Sequence, residues 1–132
     1  MNWRSIQKTN ITKLSDLVRY LQLDPLNESR ILKAPSFPLN LPLRLAAKMQ
    51  KNNLADPLFR QFVALKLEEE KANHFIADPT GETGAQLTPR LLQKYPSRAL
   101  LIPTSACAVH CRYCFRRHYP YETAPSDLEK EL

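Results

Sequence analysis

The sequence predicts an α/β protein: a helical amino-terminal region over residues 1–77, then the opening of a β/α fold over 78–132. Three observations carry that prediction. Apolar residues recur at helical spacing through the first seventy-odd positions. Both glycines of the chain fall together in ADPTGETG, beside Pro79 and Asp/Thr turn formers, and mark a boundary. Beyond it a four-residue apolar run, Ala99–Ile102, lies between Pro96 and Pro103, and all three cysteines follow in CAVHCRYCFRRH.

The chain has 132 residues, enough for one modest domain with a core. Hydrophobic residues make up 43% and charged residues 24%, an ordinary globular composition. No apolar run approaches a membrane span. The opening MNWRSIQKTN lacks the apolar stretch of a secretory signal, so the expected location is the cytoplasm. Three clustered cysteines are an odd number and argue against a secreted disulfide framework.

In chain order, LSDLVRYLQL sets Leu14, Leu17, Val18 and Leu21 on one helix face. Asp24-Pro25 ends that helix and starts another, with Ile31 and Leu32 as its apolar contacts. PSFPLNLP, with Pro35, Pro38 and Pro42, is an irregular link, and Pro42 opens a helix through about Lys51. Asp56-Pro57 repeats the start signal, and Leu58, Phe62 and Leu65 mark a third buried face. After the glycine boundary, LTPRLLQKYP predicts one or two helical turns. Ala99–Ile102 predicts a strand buried on both faces, as in a parallel sheet. Ser126-Asp-Leu-Glu129 is a capping box that opens a helix. Strand, cysteine loop and helix together form the start of a β/α unit, whose functional loop leaves the carboxyl end of the strand. One strand makes no sheet, so the chain is expected to be truncated before its fold is complete.

Charge is concentrated at the cysteines. Over residues 90–122, Arg90, Lys94, Arg98, Arg112, Arg116 and Arg117 stand against Glu122 alone, five of the chain's six net positive charges. Such a region attracts anions, or is a solvated basic face.

The cysteine spacing is Cys107-x3-Cys111-x2-Cys114. Three readings of it compete: a [4Fe–4S] cluster with one iron left open, a zinc site completed by His110 or His118, and free thiols. A zinc-knuckle-like module binding nucleic acid through the basic region is the functional counterpart of the second. CxxC alone serves zinc, redox and iron–sulfur sites alike, whereas CxxxCxxC with Tyr113 before the last cysteine is much more specific.

That signature resembles the radical S-adenosylmethionine (radical SAM) superfamily. The longer stretch LTPRLLQKYPSRALLIPTSACAVHCRYCFRRHYPY resembles the lysine 2,3-aminomutase family. Its Cys114–Tyr121 tail, with Phe115, and the upstream DPLFRQF are similar to the branch that makes β-lysine for elongation factor P. The resemblance implies a truncated radical SAM barrel of partial TIM type, with residues 78–132 contributing loop, first strand, cluster-binding loop and helix start.

It also implies an isomerase that turns L-lysine into β-lysine with a [4Fe–4S] cluster, S-adenosyl-L-methionine and pyridoxal 5′-phosphate. By the resemblance, Cys107, Cys111 and Cys114 ligate the cluster, and Arg98 holds the pyridoxal phosphate. Lys94 and Tyr95 line the same region, Lys94 standing where the family has an arginine. Tyr113 packs beside S-adenosylmethionine, and Arg116 pairs with a carboxylate. The family's glycine-rich S-adenosylmethionine strand, its pyridoxal-phosphate lysine and its substrate-binding acids have no counterpart in these residues. The expectation is therefore an amino-terminal part of an aminomutase, inactive alone, with a small-molecule substrate and neither nucleic acid nor membrane as partner. Taken without the resemblance, Arg98 reads as a surface residue and Arg112 and Arg117 as solvated. On the same terms His110 and His118 read as structural, His74 as ordinary, and Tyr119 and Tyr121 as packing residues.

Overall fold

The computed structural model describes residues 2–70 and 75–119, apart from the side chains of Phe115 and Arg116. Two compact units result. One holds the described residues up to Glu70 together with Cys107–Cys114; the other holds Phe75–Ala106 and Phe115–Tyr119.

The first unit is a set of short helices: α1 (Trp3–Gln7), α2 (Leu14–Leu21), α3 (Pro25–Ser29), α4 (Leu43–Ala46) and α5 (Pro57–Phe62). The start signals work as read. The Asp24 carboxylate accepts from the Asn27 amide at 2.7 Å, and Pro25 occupies the first turn, where its missing N–H costs nothing. Asp56 does the same for α5, accepting from the amides of Leu58 at 2.8 Å and Phe59 at 3.0 Å. Gln22 closes α2 in the left-handed conformation, φ 53°. None of these helices is long enough to be stable alone, so packing supports them. Leu17, Leu21, Ile31, Leu41 and Phe59 are the fully buried centre. Two isolated bridges, Ile11 with Leu41 and Ile31 with Leu65, tie the loops across it.

Two expectations shift in detail. The helix expected from Pro42 to about Lys51 ends at Ala46, with Pro42 as its cap. In α5 the deepest residue is Phe59, while Leu58, Phe62 and Leu65 are partly buried around it. A six-residue helix capped by Asp56 turns Phe59 straight into the core, and the flanking residues form the rim.

The second unit overturns two expectations. LTPRLLQKYP is not helical: it holds the end of β1 (Gln86–Thr88) and the whole of β2 (Leu91–Tyr95), and β3 spans Arg98–Leu101. The three make an antiparallel sheet in the order β1-β2-β3, with Leu92 opposite Leu100 and Tyr95 opposite Arg98. Pro89 and Pro96 explain the change. Each forbids a continuous helix, and Pro96-Ser97 makes the two-residue turn of a hairpin. The strand expected over Ala99–Ile102 therefore exists, but it pairs antiparallel with its own neighbour. Arg98, Ala99 and Leu100 are exposed, so it is not covered on both faces; Ile102, just beyond, is buried. Among the described residues there is no parallel β/α unit. The capping box at Ser126–Glu129, His74 and Tyr121 lie outside the described residues. No described helix is long and apolar enough to cross a membrane.

Candidate functional site

The cysteine loop is held by the helical unit at alternate positions. The Asn40 side chain donates to the Cys107 carbonyl at 2.9 Å. Asn10 donates its two amide hydrogens to Asn40 Oδ1 at 2.7 Å and to the Ala108 carbonyl at 3.0 Å. The His110 amide donates to the Asn40 carbonyl at 2.9 Å, and the Arg112 amide to the Gln61 carbonyl at 2.7 Å. Cys114 closes a turn on the Cys111 carbonyl at 3.0 Å.

Two side chains of the loop add to this seat. The His110 ring stacks on Phe37, centroids 4.6 Å apart, and its Nδ1 lies 2.8 Å from the Pro38 carbonyl. A carbonyl only accepts, so Nδ1 carries the proton. His110 thus acts structurally, with Nε2 alone left as a possible ligand atom. Arg112 corrects the expectation of a solvated arginine. Its Nε donates to Glu68 at 2.6 Å, both side chains being about four-fifths buried, and its Nη1 donates to the Arg60 carbonyl at 3.1 Å. One charge of the basic region is therefore neutralised at the loop.

The three thiols are free, Cys107 exposed and Cys111 and Cys114 half-buried. Burial pushes the Cys111 thiol above its ordinary pKa, and the charges of Cys114 and Cys107 push it further. Among the described residues no three His, Cys, Asp or Glu side chains are gathered at metal-ligand spacing. The donor set suits an iron–sulfur cluster all the same. It offers three unbridged thiols on one accessible loop, whose Cys107 and Ala108 carbonyls and His110 and Arg112 amides are engaged by the helical unit.

Other residues singled out in the sequence sit as follows. Tyr113, in the loop, is 68% exposed. At the end of the β2–β3 hairpin the Arg98 guanidinium lies 4.5 Å over the Tyr95 ring, so these two meet as a cation–π pair. Lys94 Nζ donates to the Thr80 carbonyl. The Arg116 side chain lies outside the described residues; its backbone is in a 3₁₀ turn, Phe115–His118. Arg117 is half-buried and His118 exposed. Tyr119 packs as expected, donating to the Pro89 carbonyl at 2.8 Å. Beside it Arg90, Ile102, Thr104 and Ser105 line a cavity of about 150 Å³. That is below the ~300–1,000 Å³ of small-molecule sites, so the second unit alone does not enclose a cofactor there.

Asn10, Asn40, Phe37 and Glu68 were not signalled by the sequence. Their partners lie tens of residues away, and no local pattern announces such contacts.

Comparison with known proteins adds a second line. No family model matches the chain. It is 39% identical over 127 residues to an L-lysine 2,3-aminomutase of Haemophilus influenzae, covering 96% of this chain and 38% of that protein. To the L-lysine 2,3-aminomutase of Escherichia coli it is 39% identical over 91% of this chain and 35% of the relative. To that of Buchnera aphidicola it is 34% identical over 97% of this chain and 38% of the relative. The chain therefore spans little more than a third of the length of these relatives. The similarity runs through helical unit, hairpin and cysteine loop together, and the chain belongs to the lysine 2,3-aminomutase family.

Proposed function

We propose that the chain is the amino-terminal part of a radical SAM, pyridoxal-phosphate-dependent L-lysine 2,3-aminomutase. In this reading it contributes Cys107, Cys111 and Cys114 to a [4Fe–4S] cluster, works in the cytoplasm and serves β-lysine supply for elongation factor P. The observation that supports it is the conjunction of Cys-x3-Cys-x2-Cys on an accessible loop with 39% identity to an L-lysine 2,3-aminomutase along nearly the whole chain.

When bound, the cluster supplies an electron to S-adenosylmethionine, and pyridoxal phosphate carries the migrating amine. The chain's own residues bind and orient. The cysteine loop offers three thiolates and leaves one iron without a protein ligand. Tyr113 stands exposed beside the last thiol in sequence, available to S-adenosylmethionine. Arg98, its guanidinium 4.5 Å over the Tyr95 ring, offers N–H donors to phosphate oxygens. Lys94, tied to the Thr80 carbonyl, adds charge to that region. Arg116 pairs with a carboxylate of substrate or S-adenosylmethionine. The lysine and acids that complete the reaction have no candidate in this chain, so the 132 residues alone are inactive.

Anaerobic reconstitution with iron and sulfide tests this. The expected product is a brown, oxygen-sensitive chain with about four irons, lost on Cys111→Ala because two thiolates anchor a cubane poorly. Full iron content in Cys111→Ala, or a colourless chain with one zinc, would sink the proposal; the zinc result would favour a zinc module instead.

A further inference from the structure

We infer that the helical unit positions the cysteine loop for metal binding, with Asn40 as the principal positioning residue; this deepens, and rests on, the iron–sulfur reading above. Asn40 uses three of its polar groups on the loop or its support. Nδ2 donates to the Cys107 carbonyl at 2.9 Å, Oδ1 accepts from Asn10 at 2.7 Å, and its backbone carbonyl accepts from the His110 amide at 2.9 Å. Asn10 carries the chain of bonds on to the Ala108 carbonyl at 3.0 Å. The anchors interleave with the thiols. Ala108 and His110 lie between Cys107 and Cys111, and Arg112, between Cys111 and Cys114, is bonded to Gln61, Arg60 and Glu68.

Two physical effects follow. A carbonyl engaged by an asparagine amide is not free to face thiolates, whose negative charge it would repel. The backbone between the thiols is also held by the helical unit, so the thiols have only a limited distance to move together when metal binds, and less loop entropy is lost in that step. Asn10 and Asn40 adjoin Ile11 and Leu41, whose bridge belongs to the hydrophobic centre, so a control inside the helical unit separates the positioning role from folding.

The test uses the 132-residue chain, handled anaerobically, with Asn40→Asp. That change keeps the acceptor for Asn10, removes the donor to Cys107 and sets a carboxylate against the Cys107 carbonyl. In the metal-free chain, amide exchange at His110 should rise about 2–10-fold, the factor for one net hydrogen bond. Exchange at Leu23 and Val63, whose amides bond Val18 and Phe59, should stay unchanged. In the iron-loaded chain, a chelator should strip iron faster by a similar factor, and the electron paramagnetic resonance spectrum of the reduced cluster should change. Unchanged His110 exchange overturns the proposal. So does a freed loop with unaltered iron retention and spectrum. Should Leu23 and Val63 lose protection in Asn40→Asp, Asn10→Ala gives the same readings, because it removes only the bonds to Asn40 and Ala108. A wild-type chain that takes up no iron overturns the iron–sulfur reading, while His110 exchange still decides whether Asn40 holds the loop.

Discussion

Arg112 Nε meets Glu68 Oε1 at 2.6 Å, although 44 residues separate them in sequence. The contact pins the second half of the cysteine loop to the end of the helical unit. The pair is mostly but not wholly buried, so solvent screens part of its attraction. Glu68→Gln should loosen the loop by about 1 kcal/mol, below the ~1.5–3 kcal/mol of a fully desolvated charged hydrogen bond. Amide exchange at Arg112 reads this locally, and an Arg112→Met, Glu68→Gln double-mutant cycle isolates the pair. Additive single effects would show that the two side chains do not cooperate.

Phe59→Ala should destabilise the helical unit by about 3–5 kcal/mol, the usual cost of removing a buried phenyl ring. Phe59 is completely buried, and Asp56 fixes its backbone amide at 3.0 Å, so the cavity cannot close by sliding the helix. Against a typical total stability of ~5–15 kcal/mol, that loss leaves a marginal fold. Urea unfolding followed by circular dichroism measures it; a loss under 1 kcal/mol would mean that the ring is not at the centre.

The helical unit was legible because its signals are local. Asp24-Pro25 and Asp56-Pro57 are cap and first turn in adjacent residues, and the Leu14–Leu21 face repeats within one helix. The hairpin was misread because Leu91 and Leu92 fit a helical turn as well as a strand. Pro96-Ser97 also lacks the Asn-Gly or Asp-Gly character that flags a two-residue turn. The clustering of the three thiols was legible from their spacing. Their seat was not, since Asn40 and Cys107 are 67 residues apart and an isolated asparagine in a proline-rich link carries no pattern.

Asp78 organises the turn that follows it. Its carboxylate accepts from the Glu82 amide at 2.9 Å, the Thr83 amide at 2.8 Å and the Thr83 hydroxyl at 2.6 Å. The Thr83 hydroxyl, then these amides, lower its pKa from 3.8 to about 2. A depressed carboxylate favours the folded turn above the unfolded value, and that contribution fades as pH falls from 3.8 through about 2. Exchange at Glu82 and Thr83, corrected for its intrinsic pH dependence, should therefore lose protection over that window. Asp78→Asn should abolish the pH dependence there. A carbon chemical-shift titration of Asp78 with a midpoint near 4 would contradict the assignment.

In a complete aminomutase carrying this segment, Arg98→Ala should weaken pyridoxal phosphate binding by about 1.5–3 kcal/mol, the range for hydrogen bonds to a charged group. Arg98→Lys should recover only part, since an ammonium cannot offer the guanidinium fork. Iron content should stay constant in both, because neither change touches the thiols. Fluorescence titration of the cofactor decides; equal affinity for all three proteins would remove Arg98 from the phosphate site.

The hairpin makes a prediction opposite to that of an unpaired strand. Were Ala99–Ile102 waiting for a parallel partner, its amides would exchange freely in this chain. Instead β3 pairs with β2, and beyond the strand the Ile102 amide donates to the Arg90 carbonyl at 2.8 Å. Ile102 is buried, as is Leu92 on the neighbouring strand, so water has little access to that bond. The amide of Ile102 should therefore exchange many times more slowly than that of exposed Ala106, whose donor reaches only the Thr104 hydroxyl at 3.0 Å. Leu92→Asp removes apolar cover from the same place and should bring Ile102 to the Ala106 rate. The helical unit is the internal control, with Val63 unaffected. Equal exchange at Ile102 and Ala106 in the unaltered chain would mean that the ladder does not form and that the strand is unpaired after all.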